Sequence, residues 1–219
     1  MGVAERRERE RAERRNQIVD AAEQLFFELG PVAATMSDVA KAAELSKGTL
    51  YLYFRSKDDL YLAIALRGAT ALLERVAAID PAGLSGFEQL EHTALAFRTY
   101  ANEHPRHLRS MIAWLASGFH ADPANPCYAD YLAAVSKMVG TLVNIVERGK
   151  QDGSIRPDVD ALQFVLQLWG GTMGQWMLYF SREQVSQRLP VPVDFDGLVA
   201  SFSNMLLRAI RADTKESSS

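Results

Sequence analysis

The chain has 219 residues, of which 48% are hydrophobic and 23% are charged, and its formal net charge is −3. This length and apolar content suffice for a hydrophobic core and exclude a disordered chain. The single cysteine, Cys127, cannot form an intramolecular disulfide or a multi-thiolate metal site, which predicts a protein of the reducing cytoplasm. The mild acidity gives no overall attraction to nucleic acid or to a membrane, so any such binding must come from a local arrangement of side chains.

Apolar residues recur three and four positions apart in nearly every segment, which predicts an all-α protein. The first helix carries Ile18, Ala22 and Phe26 on one face, and Gly30 followed by Pro31 is predicted to end it. Residues 5–15 alternate in charge ahead of this face, and no apolar stretch of a signal peptide follows them. Opposite charges four positions apart predict a solvated helical extension, through the pairs Glu5/Arg9, Arg9/Glu13 and Glu10/Arg14.

Three segments after the first helix begin with capping signals. The signals lie at residues 35–38, at Ser46 and at residues 56–59. They predict two short helices, the first ending near Ala43, and then a long helix over residues 58–79.

Beyond residue 80 the predicted helices are longer. They span about residues 86–103, 105–118, 126–151, 158–181 and 194–212. Residues 161–181 carry no charge and are long enough to cross a membrane, but their glutamines and glycines favour a buried core helix. We therefore predict a compact domain over residues 1–57, a larger helical domain over residues 58–213, a disordered tail over residues 214–219 and no membrane association.

The two short helices are separated by the turn Glu44-Leu45-Ser46, which is the length that a helix-turn-helix needs. Leu50 and Phe54 form the inward face of the second helix. Its outward face then presents Lys47, Gly48, Thr49, Tyr51 and Tyr53. A cation, a hydroxyl and phenols at a helix N-terminus hydrogen-bond phosphates and base edges, so this face predicts DNA binding.

Two runs of residues here closely resemble the DNA-binding signature of the TetR (tetracycline-repressor) family of transcriptional regulators. The runs are Thr35-Met36-Ser37-Asp38-Val39-Ala40 and Ser46-Lys47-Gly48-Thr49-Leu50-Tyr51-Leu52-Tyr53-Phe54-Arg55-Ser56-Lys57. The resemblance covers about residues 15–60, and the rest of the chain matches only as a helical bundle of the expected length.

The resemblance implies a role for each matching position. The second helix enters the major groove, where base or nearby phosphate contacts come from Lys47, Gly48, Thr49 and Tyr51. Backbone and flanking-base contacts come from Thr35 and Ser37, and phosphate anchors are Tyr53 and Lys57. Gly48 also has a physical reason, because the lack of a side chain lets the helix approach DNA closely.

One position of the turn departs from the family pattern, which usually has glycine where this chain has Glu44. A left-handed backbone there would strain Glu44 by roughly 1 kcal/mol, and a reshaped turn would leave a carboxylate near DNA. Residues 1–60 hold ten Lys and Arg against eleven Asp and Glu, a net charge of −1. This balance predicts modest non-specific affinity with a shallow salt dependence.

The resemblance further implies that the later helices form a homodimer and bind a small-molecule effector. Gly170 and Gly174, four apart in an uncharged helix, allow close backbone approach and favour a dimer interface, and the alternative is a kink beside the effector pocket. The predicted dimer interface comprises Gly170, Gly174, Leu198, Phe202, Met205 and Leu206. Paired helix-turn-helix units match a palindromic operator.

Large apolar side chains on the middle helices predict a pocket for a hydrophobic effector, although the same spacing is typical of a plain core. They are Phe97, Tyr100, Met111, Trp114, Met138, Trp169, Met173 and Trp176. Candidate polar groups in this pocket are His92, Asn144 and Gln175.

No catalytic, metal or cofactor motif is present in the sequence. His104 and His107 lack a carboxylate or thiol to complete a metal site, and nucleotide-binding glycine loops and nucleophile elbows are missing. We therefore predict a ligand-responsive repressor without cofactor that binds a double-stranded DNA operator as a homodimer and is not an enzyme. The alternatives are a helical ligand carrier or enzyme with a vestigial helix-turn-helix, and an architectural DNA-binding protein.

Overall fold

The computed structural model describes residues 2–116 and 122–212, without the side chains of residues 3, 31, 32 and 113–116. Within these residues the α-helix is the only regular secondary structure apart from one isolated antiparallel bridge between Ile155 and Arg211. The prediction of an all-α protein is confirmed. The predicted tail, residues 214–219, lies outside the described residues.

Ten helices follow one another along the described chain. They are α1 (Val3–Ala33), α2 (Met36–Ala42), α3 (Lys47–Tyr51), α4 (Lys57–Ala77), α5 (Gly86–Glu103), α6 (Pro105–Ala116), α7 (Pro126–Gln151), α8 (Ala161–Phe180), α9 (Arg182–Ser186) and α10 (Phe195–Ile210). The predicted bounds of α5 and α7 are those observed, whereas α9 was not predicted. Helices α8 and α10 begin later than predicted because Asp160 and Asp194 act as N-caps, accepting hydrogen bonds from the backbone N–H groups of Gln163 and Gly197 at 2.9 Å.

Helix α1 is interrupted at Gly30, the residue predicted to end it. Gly30 has φ +78° and ψ 167°, outside the helical region, and the helical assignment then resumes as far as Ala33. A side chain would disfavour this left-handed φ, so glycine permits the change of direction that leads the chain into α2.

Packing divides the described residues into two compact units. Unit 1 contains residues 2–70 and the described part of 104–134, and unit 2 contains residues 71–103 and 135–212. This division differs from the predicted boundary between residues 57 and 58, because α6 and the beginning of α7 pack with the N-terminal helices. Helices α4 and α7 each contribute residues to both units.

The core of unit 1 joins α1 to the helix-turn-helix. Its buried members are Ile18, Val19, Ala22, Phe26, Ala34, Val39, Ala40, Leu50, Phe54, Leu60, Tyr61, Ala63 and Ile64. The rings of Phe26 and Tyr61 stack with centroids 4.1 Å apart. Leu50 and Phe54 are buried here, as predicted, and this orientation fixes which face of α3 reaches solvent.

Helix α6 packs on α1 through charged and aromatic side chains. His107 Nε2 lies 2.7 Å from Glu23 Oε2. The guanidinium groups of Arg106 and Arg109 lie 5.8 and 5.3 Å from the ring centroid of Phe27. Cations over an aromatic face attract its quadrupole, and together with the Glu23 contact they place α6 in unit 1.

The core of unit 2 is formed by α5, α7, α8 and α10. Its buried members include Phe87, Leu90, Ile145, Val146, Ile155, Phe164, Val165, Leu207 and Ile210. Helices α5 and α7 cross closely, since a Cβ atom at Gly86 would lie 2.3 Å from the backbone nitrogen of Gly149. The backbone N–H of Gly86 donates to Asp152 Oδ2 at 2.7 Å, which ties the start of α5 to the end of α7.

Helix α8, predicted to be a buried core helix, is buried along one face only. Its buried apolar residues include Phe164, Val165, Met173 and Trp176, and its exposed ones are Leu162, Leu166, Trp169, Met177 and Leu178. Among the described helices, α7 is long and apolar enough to cross a membrane by length and composition alone, a test that core helices of soluble proteins also meet.

Candidate nucleic-acid interface

A reciprocal capping box begins α2. The backbone N–H of Asp38 donates to Thr35 Oγ1 at 3.2 Å, and the Thr35 backbone N–H donates to Asp38 Oδ2 at 3.0 Å. The Thr35 hydroxyl also donates to this carboxylate, and these hydrogen bonds hold the pKa of Asp38 below its ordinary value of 3.8. The box places Thr35, which is exposed, and Ser37, which is partly exposed, at the surface beside the turn.

The turn after α2 is a Schellman motif with an unusual residue. The backbone N–H of Leu45 donates to the Ala40 carbonyl at 2.8 Å, and that of Glu44 donates to the Lys41 carbonyl at 3.1 Å. Glu44 has φ +56°, and it is the one non-glycine residue with positive φ in the described part of the chain. The backbone at Glu44 is therefore left-handed, although the residue is not glycine. Of the two expected outcomes, the turn keeps its usual shape and Glu44 is strained.

Helix α3 is short and capped by Ser46, whose Oγ accepts from the backbone N–H of Thr49 at 3.1 Å. The Thr49 hydroxyl forms a second hydrogen bond with the same oxygen at 2.8 Å. Lys47 and Gly48 are exposed, and Tyr51 is 50% exposed. The outward face thus presents a cation, an open backbone position and a phenol, as predicted.

Nothing inside the chain requires glycine at position 48. A Cβ atom there would meet only Ser46 Oγ, at the ordinary distance of 3.8 Å, and the φ of Gly48 is not left-handed. Glycine inside a helix costs nearly 1 kcal/mol relative to alanine. No contact within the chain offsets this loss of helix stability. Gly48 lies on an exposed face, so we infer that a binding partner requires the absence of a side chain there.

The two predicted phosphate anchors are partly engaged within unit 1. Tyr53 packs against the unit 1 core. Lys57 Nζ donates to the backbone carbonyl of Ala34 at 3.1 Å, which ties the start of α4 to the residue preceding Thr35. This bond holds the Lys57 ammonium beside the start of α2.

Two cations of unit 1 at the end of the motif were not among the predicted site residues. Arg55 has an exposed side chain, and Arg15 of α1 lies with its guanidinium 4.9 Å from the ring centroid of Phe54. Arg15 Nη2 also donates to Cys127 Sγ at 2.7 Å, and burial raises the pKa of this thiol. No spacing rule links residues 15, 54 and 127, so only the fold brings them together.

The predicted effector residues fall in both units. Tyr100, Met173 and Trp176 are buried in unit 2, where Phe97 and Met138 are partly buried. Trp169 is 47% exposed, Met111 is partly buried in unit 1, and the side chain of Trp114 lies outside the described residues. None of the eight lines the open depression at the start of α8, which is formed by Asp160, Leu162, Gln163, Leu166 and Gln167.

Four side-chain polar atoms of unit 2 are buried without a hydrogen-bond partner in the described residues. They are Gln89 Oε1, Arg148 Nε, Gln175 Oε1 and Trp176 Nε1. Of the other candidate polar groups, His92 and Asn144 are exposed. An unsatisfied buried polar atom is costly, so among the residues predicted for the effector pocket Gln175 and Trp176 are the strongest polar candidates for a ligand contact.

The predicted dimer residues lie on α8 and α10. A Cβ atom at Gly170 or at Gly174 would meet nothing within 4 Å. Phe202 instead packs its ring on Gly171 of the same chain, and Met205 is 61% exposed. Leu198 and Leu206 are partly buried.

The described residues contain no group of three or more His, Cys, Asp or Glu side chains that could hold a metal ion. The rings of His104 and His107 stack with centroids 5.4 Å apart, and His107 contacts Glu23.

The three-helix arrangement of unit 1, with α3 anchored from inside and open outside, is that of a helix-turn-helix DNA-binding protein. Residues 18–64 match the model of the family described as bacterial regulatory proteins, tetR family. The HTH-type transcriptional repressor KstR2 of Rhodococcus jostii (strain RHA1) is 31% identical over 148 residues, which cover 67% of this chain and 70% of that protein. The chain belongs to the TetR family of transcriptional regulators.

Other known proteins resemble this chain either over a short stretch of sequence or in fold alone. The transcriptional activator FasR of Mycolicibacterium smegmatis is 42% identical over 66 residues, 30% of each chain. The ketosteroid transcriptional regulator KstR2 of Mycobacterium tuberculosis superposes with a TM-score of 0.65 at 20% identity, covering 91% of this chain and 96% of that one. FadR of Bacillus subtilis, solved with stearoyl-CoA, gives a TM-score of 0.66 at 20% identity, covering 89% and 98%. The predicted fold and family are thus confirmed.

Proposed function

We propose that this regulator is a homodimeric repressor in the cytoplasm that binds a palindromic operator through α3 and is released by a bulky, largely apolar effector. The observation that carries the proposal is the outward face of α3, where Gly48 leaves the backbone open between Lys47 and Tyr51. A helix with this face fits closely against base edges and phosphates of the major groove.

The contacts of unit 1 support a division of roles at the operator. Lys47, Thr49 and Tyr51 lie on the face that enters the groove. Thr35 and Ser37, held by the capping box, meet the DNA backbone beside it, and the Lys57 ammonium, held beside the start of α2, binds a phosphate.

Exposed apolar side chains on α8 and α10 support dimerisation. Leu162, Leu166, Trp169, Met177 and Met205 are each between 47% and 61% exposed, a large apolar content for a surface. The open positions at Gly170 and Gly174 let a partner helix approach its backbone. We propose a four-helix interface of α8 and α10 from each subunit.

The unsatisfied polar atoms of Gln175 and Trp176 support an effector site in unit 2. Both atoms are buried, and Met173 and Trp176 are large buried side chains of the same helix, so a ligand there would be mostly apolar with a polar group to pair with these atoms. Helix α4 begins at Lys57 and contributes residues to both units. Release from DNA follows if the effector favours a conformation in which α4 shifts, carries Lys57 with it and displaces α3.

The DNA-binding proposal is tested by selecting bound fragments from random double-stranded DNA at near-physiological salt. We expect a palindrome to be enriched. Lys47→Ala combined with Tyr51→Ala should lower affinity for it at least tenfold, since each good base contact is worth about 1–3 kcal/mol. Lys137→Ala, which removes an exposed cation of unit 2, is the matched control and should bind as the wild type does. If protein stripped of ligand by unfolding and refolding enriches no sequence, the proposal fails. Loss of all DNA binding would then favour a ligand carrier or enzyme, and binding without sequence preference would favour an architectural DNA-binding protein.

The dimer is tested with a matched pair of charge substitutions. Leu166 and Leu95 are both 50% exposed, but only Leu166 lies on the α8 face. Leu166→Glu should convert the dimer to monomers in sedimentation experiments, and Leu95→Glu should not. Equal effects of the two changes would contradict the proposed interface.

The effector class is tested with stearoyl-CoA and a ketosteroid as probes, added to the complex with the selected palindrome. Release by at least one probe is expected. Trp176→Phe, which removes the unsatisfied N–H, should require more of that probe, whereas Lys137→Ala, the exposed control of unit 2, should not. Retention of the complex with both probes would reject this effector class and leave the DNA-binding proposal standing.

A further inference from the structure

We propose that Arg7, Arg11 and Arg14 form a basic face on the N-terminal extension of α1 that binds DNA phosphates outside the half-site read by α3. This inference rests on the DNA-binding function proposed above and extends the operator beyond the helix-turn-helix. We refer to these three side chains as the basic face.

The extension is a helix without tertiary burial. Residues 4–14 belong to α1 and every one of them is exposed. At 1.5 Å per residue they form a rod of roughly 16 Å. Residues 2–15 hold six arginines against four glutamates, so the segment is locally positive although residues 1–60 as a whole are not.

Ion pairs within the extension lie beside the basic face and on the far side of the helix. Arg6 Nε lies 3.5 Å from Glu10 Oε1, and Arg9 Nε lies 4.0 Å from Glu13 Oε1. Glu5 Oε2 accepts from the backbone N–H of Gly2 at 2.7 Å. Three of the four glutamates are therefore engaged with groups outside the basic face.

The three arginines of the basic face have neither a hydrogen bond nor an ion pair within the described residues. The pair predicted between Glu10 and Arg14 is not formed, because Glu10 faces Arg6. At about 100° per residue, Arg7, Arg11 and Arg14 lie within an arc of about 60°. Glu10 lies about 40° beyond Arg14, and Glu8 lies about 60° beyond Arg11.

This face continues in line with the side of α1 that packs under the helix-turn-helix. Ile18 falls within the same arc and is fully buried in the unit 1 core. Arg15, the residue where the extension joins the body of unit 1, lies over the ring of Phe54, just after α3. The basic face therefore projects from the side of α1 that carries α3.

The chemistry of the face fits a phosphate backbone. Three exposed, unpaired guanidinium groups at helical spacing bind anionic oxygens without reading sequence. A membrane surface is disfavoured because residues 4–14 contain no Trp, Phe or Leu to enter the lipid. Near a half-site already bound by α3, the nearest dense array of anions is the flanking duplex.

The test compares two double variants that change charge equally. Arg7→Gln with Arg11→Gln removes two members of the basic face, and Arg6→Gln with Arg9→Gln removes two paired arginines. Affinity for the selected palindrome is measured at about 50 mM and about 200 mM salt, a range over which each phosphate contact weakens binding by about 3.5-fold. Circular dichroism checks that both variants keep the same helix content.

The basic-face variant should lose up to four contacts per dimer, so its affinity should change about 10- to 100-fold less with salt than that of the wild type. The control variant should follow the wild type. Shortening the duplex to the two half-sites should weaken the wild type and leave the basic-face variant unchanged. If wild type and both variants bind the palindrome with the same salt dependence, the inference is overturned while the proposed function stands. If the wild type selects no palindrome, the proposed function itself has failed.

Discussion

A Cβ atom at position 171 would lie 2.1 Å from Cζ of Phe202, so the phenyl ring occupies the space that any other residue in place of Gly171 would need. This contact sets the separation of α8 and α10, the two helices that carry the proposed dimer interface. The same Cβ atom would lie 2.6 Å from Cε1 of Phe202. A small rotation of the ring about its axis would therefore not relieve the clash.

We therefore expect Gly171→Ala to lower the free energy of unfolding by about 1–3 kcal/mol through overpacking, despite the higher helix propensity of alanine. Gly140→Ala on α7 is the matched control, since a Cβ atom there meets nothing within 4 Å. It should raise the free energy of unfolding by up to about 1 kcal/mol. Urea unfolding at one fixed protein concentration measures both changes, and a stabilising Gly171→Ala would show that the ring moves freely.

Gly48→Ala should act in opposite directions on stability and on DNA binding. The added methyl group is accommodated within the chain, so the free energy of unfolding should rise by about 0.5–1 kcal/mol. On the operator the same methyl group separates α3 from the groove, and affinity should fall at least tenfold. Thermal unfolding measures the change in stability, and a DNA-binding titration of the same preparation measures the change in affinity. Unchanged affinity would mean that α3 does not approach DNA at this position.

Glu44→Gly should relieve the left-handed strain in the turn. The left-handed conformation costs about 1–2 kcal/mol for a residue with a side chain, and the greater freedom of glycine in the unfolded chain offsets part of it. We expect the free energy of unfolding to rise by about 0.5–1 kcal/mol. Glu44→Gln removes the carboxylate but keeps the left-handed side chain, so it should improve DNA affinity without this gain in stability. Equal stabilisation by both changes would assign the effect to charge instead.

The capping box of α2 should weaken in acid. Since hydrogen bonds from Thr35 lower the pKa of Asp38 in the folded state, the ionised carboxylate stabilises the fold above its ordinary pKa of 3.8. This contribution is lost as the pH falls below that value through the folded-state pKa. The difference in unfolding free energy between the wild type and Asp38→Asn should therefore be constant above about pH 5 and shrink below about pH 4.

Ser46→Ala provides the control for this titration, because the cap of α3 contains no carboxylate. Its destabilisation should not change over the same pH range. A wild type and an Asp38→Asn variant that differ equally at every pH would contradict the role of the ionised carboxylate.

The parts of this molecule that depend on local signals could be predicted from the sequence. The caps at Thr35 and Ser46, the break at Gly30 and the outward face of α3 each follow from residues within one helical turn, so spacing alone locates them. The sequence also shows that Glu44 stands where the turn usually has glycine, because the turn is only a few residues long. It leaves open whether the turn is strained or reshaped, and the structure shows that it is strained.

What depends on distant contacts could not be predicted. The contacts of Phe27 and Glu23 with α6 join residues about 80 positions apart in the sequence, and no periodicity reveals them. The apolar pattern of α8 predicts a buried helix, because buried and exposed apolar positions have the same composition. Only the exposure of Leu166 and Trp169 separates the two cases.

The assembly of unit 1 from two separate stretches has a consequence for biosynthesis. A nascent chain released from the ribosome only as far as residue 70 lacks the α6 side chains that cover Phe27 and pair with Glu23. The DNA-binding unit therefore completes its packing only after α5, a helix of the other unit, has been translated. A chimaeric regulator that borrows operator specificity from this protein would need α6 and the start of α7 grafted together with the helix-turn-helix.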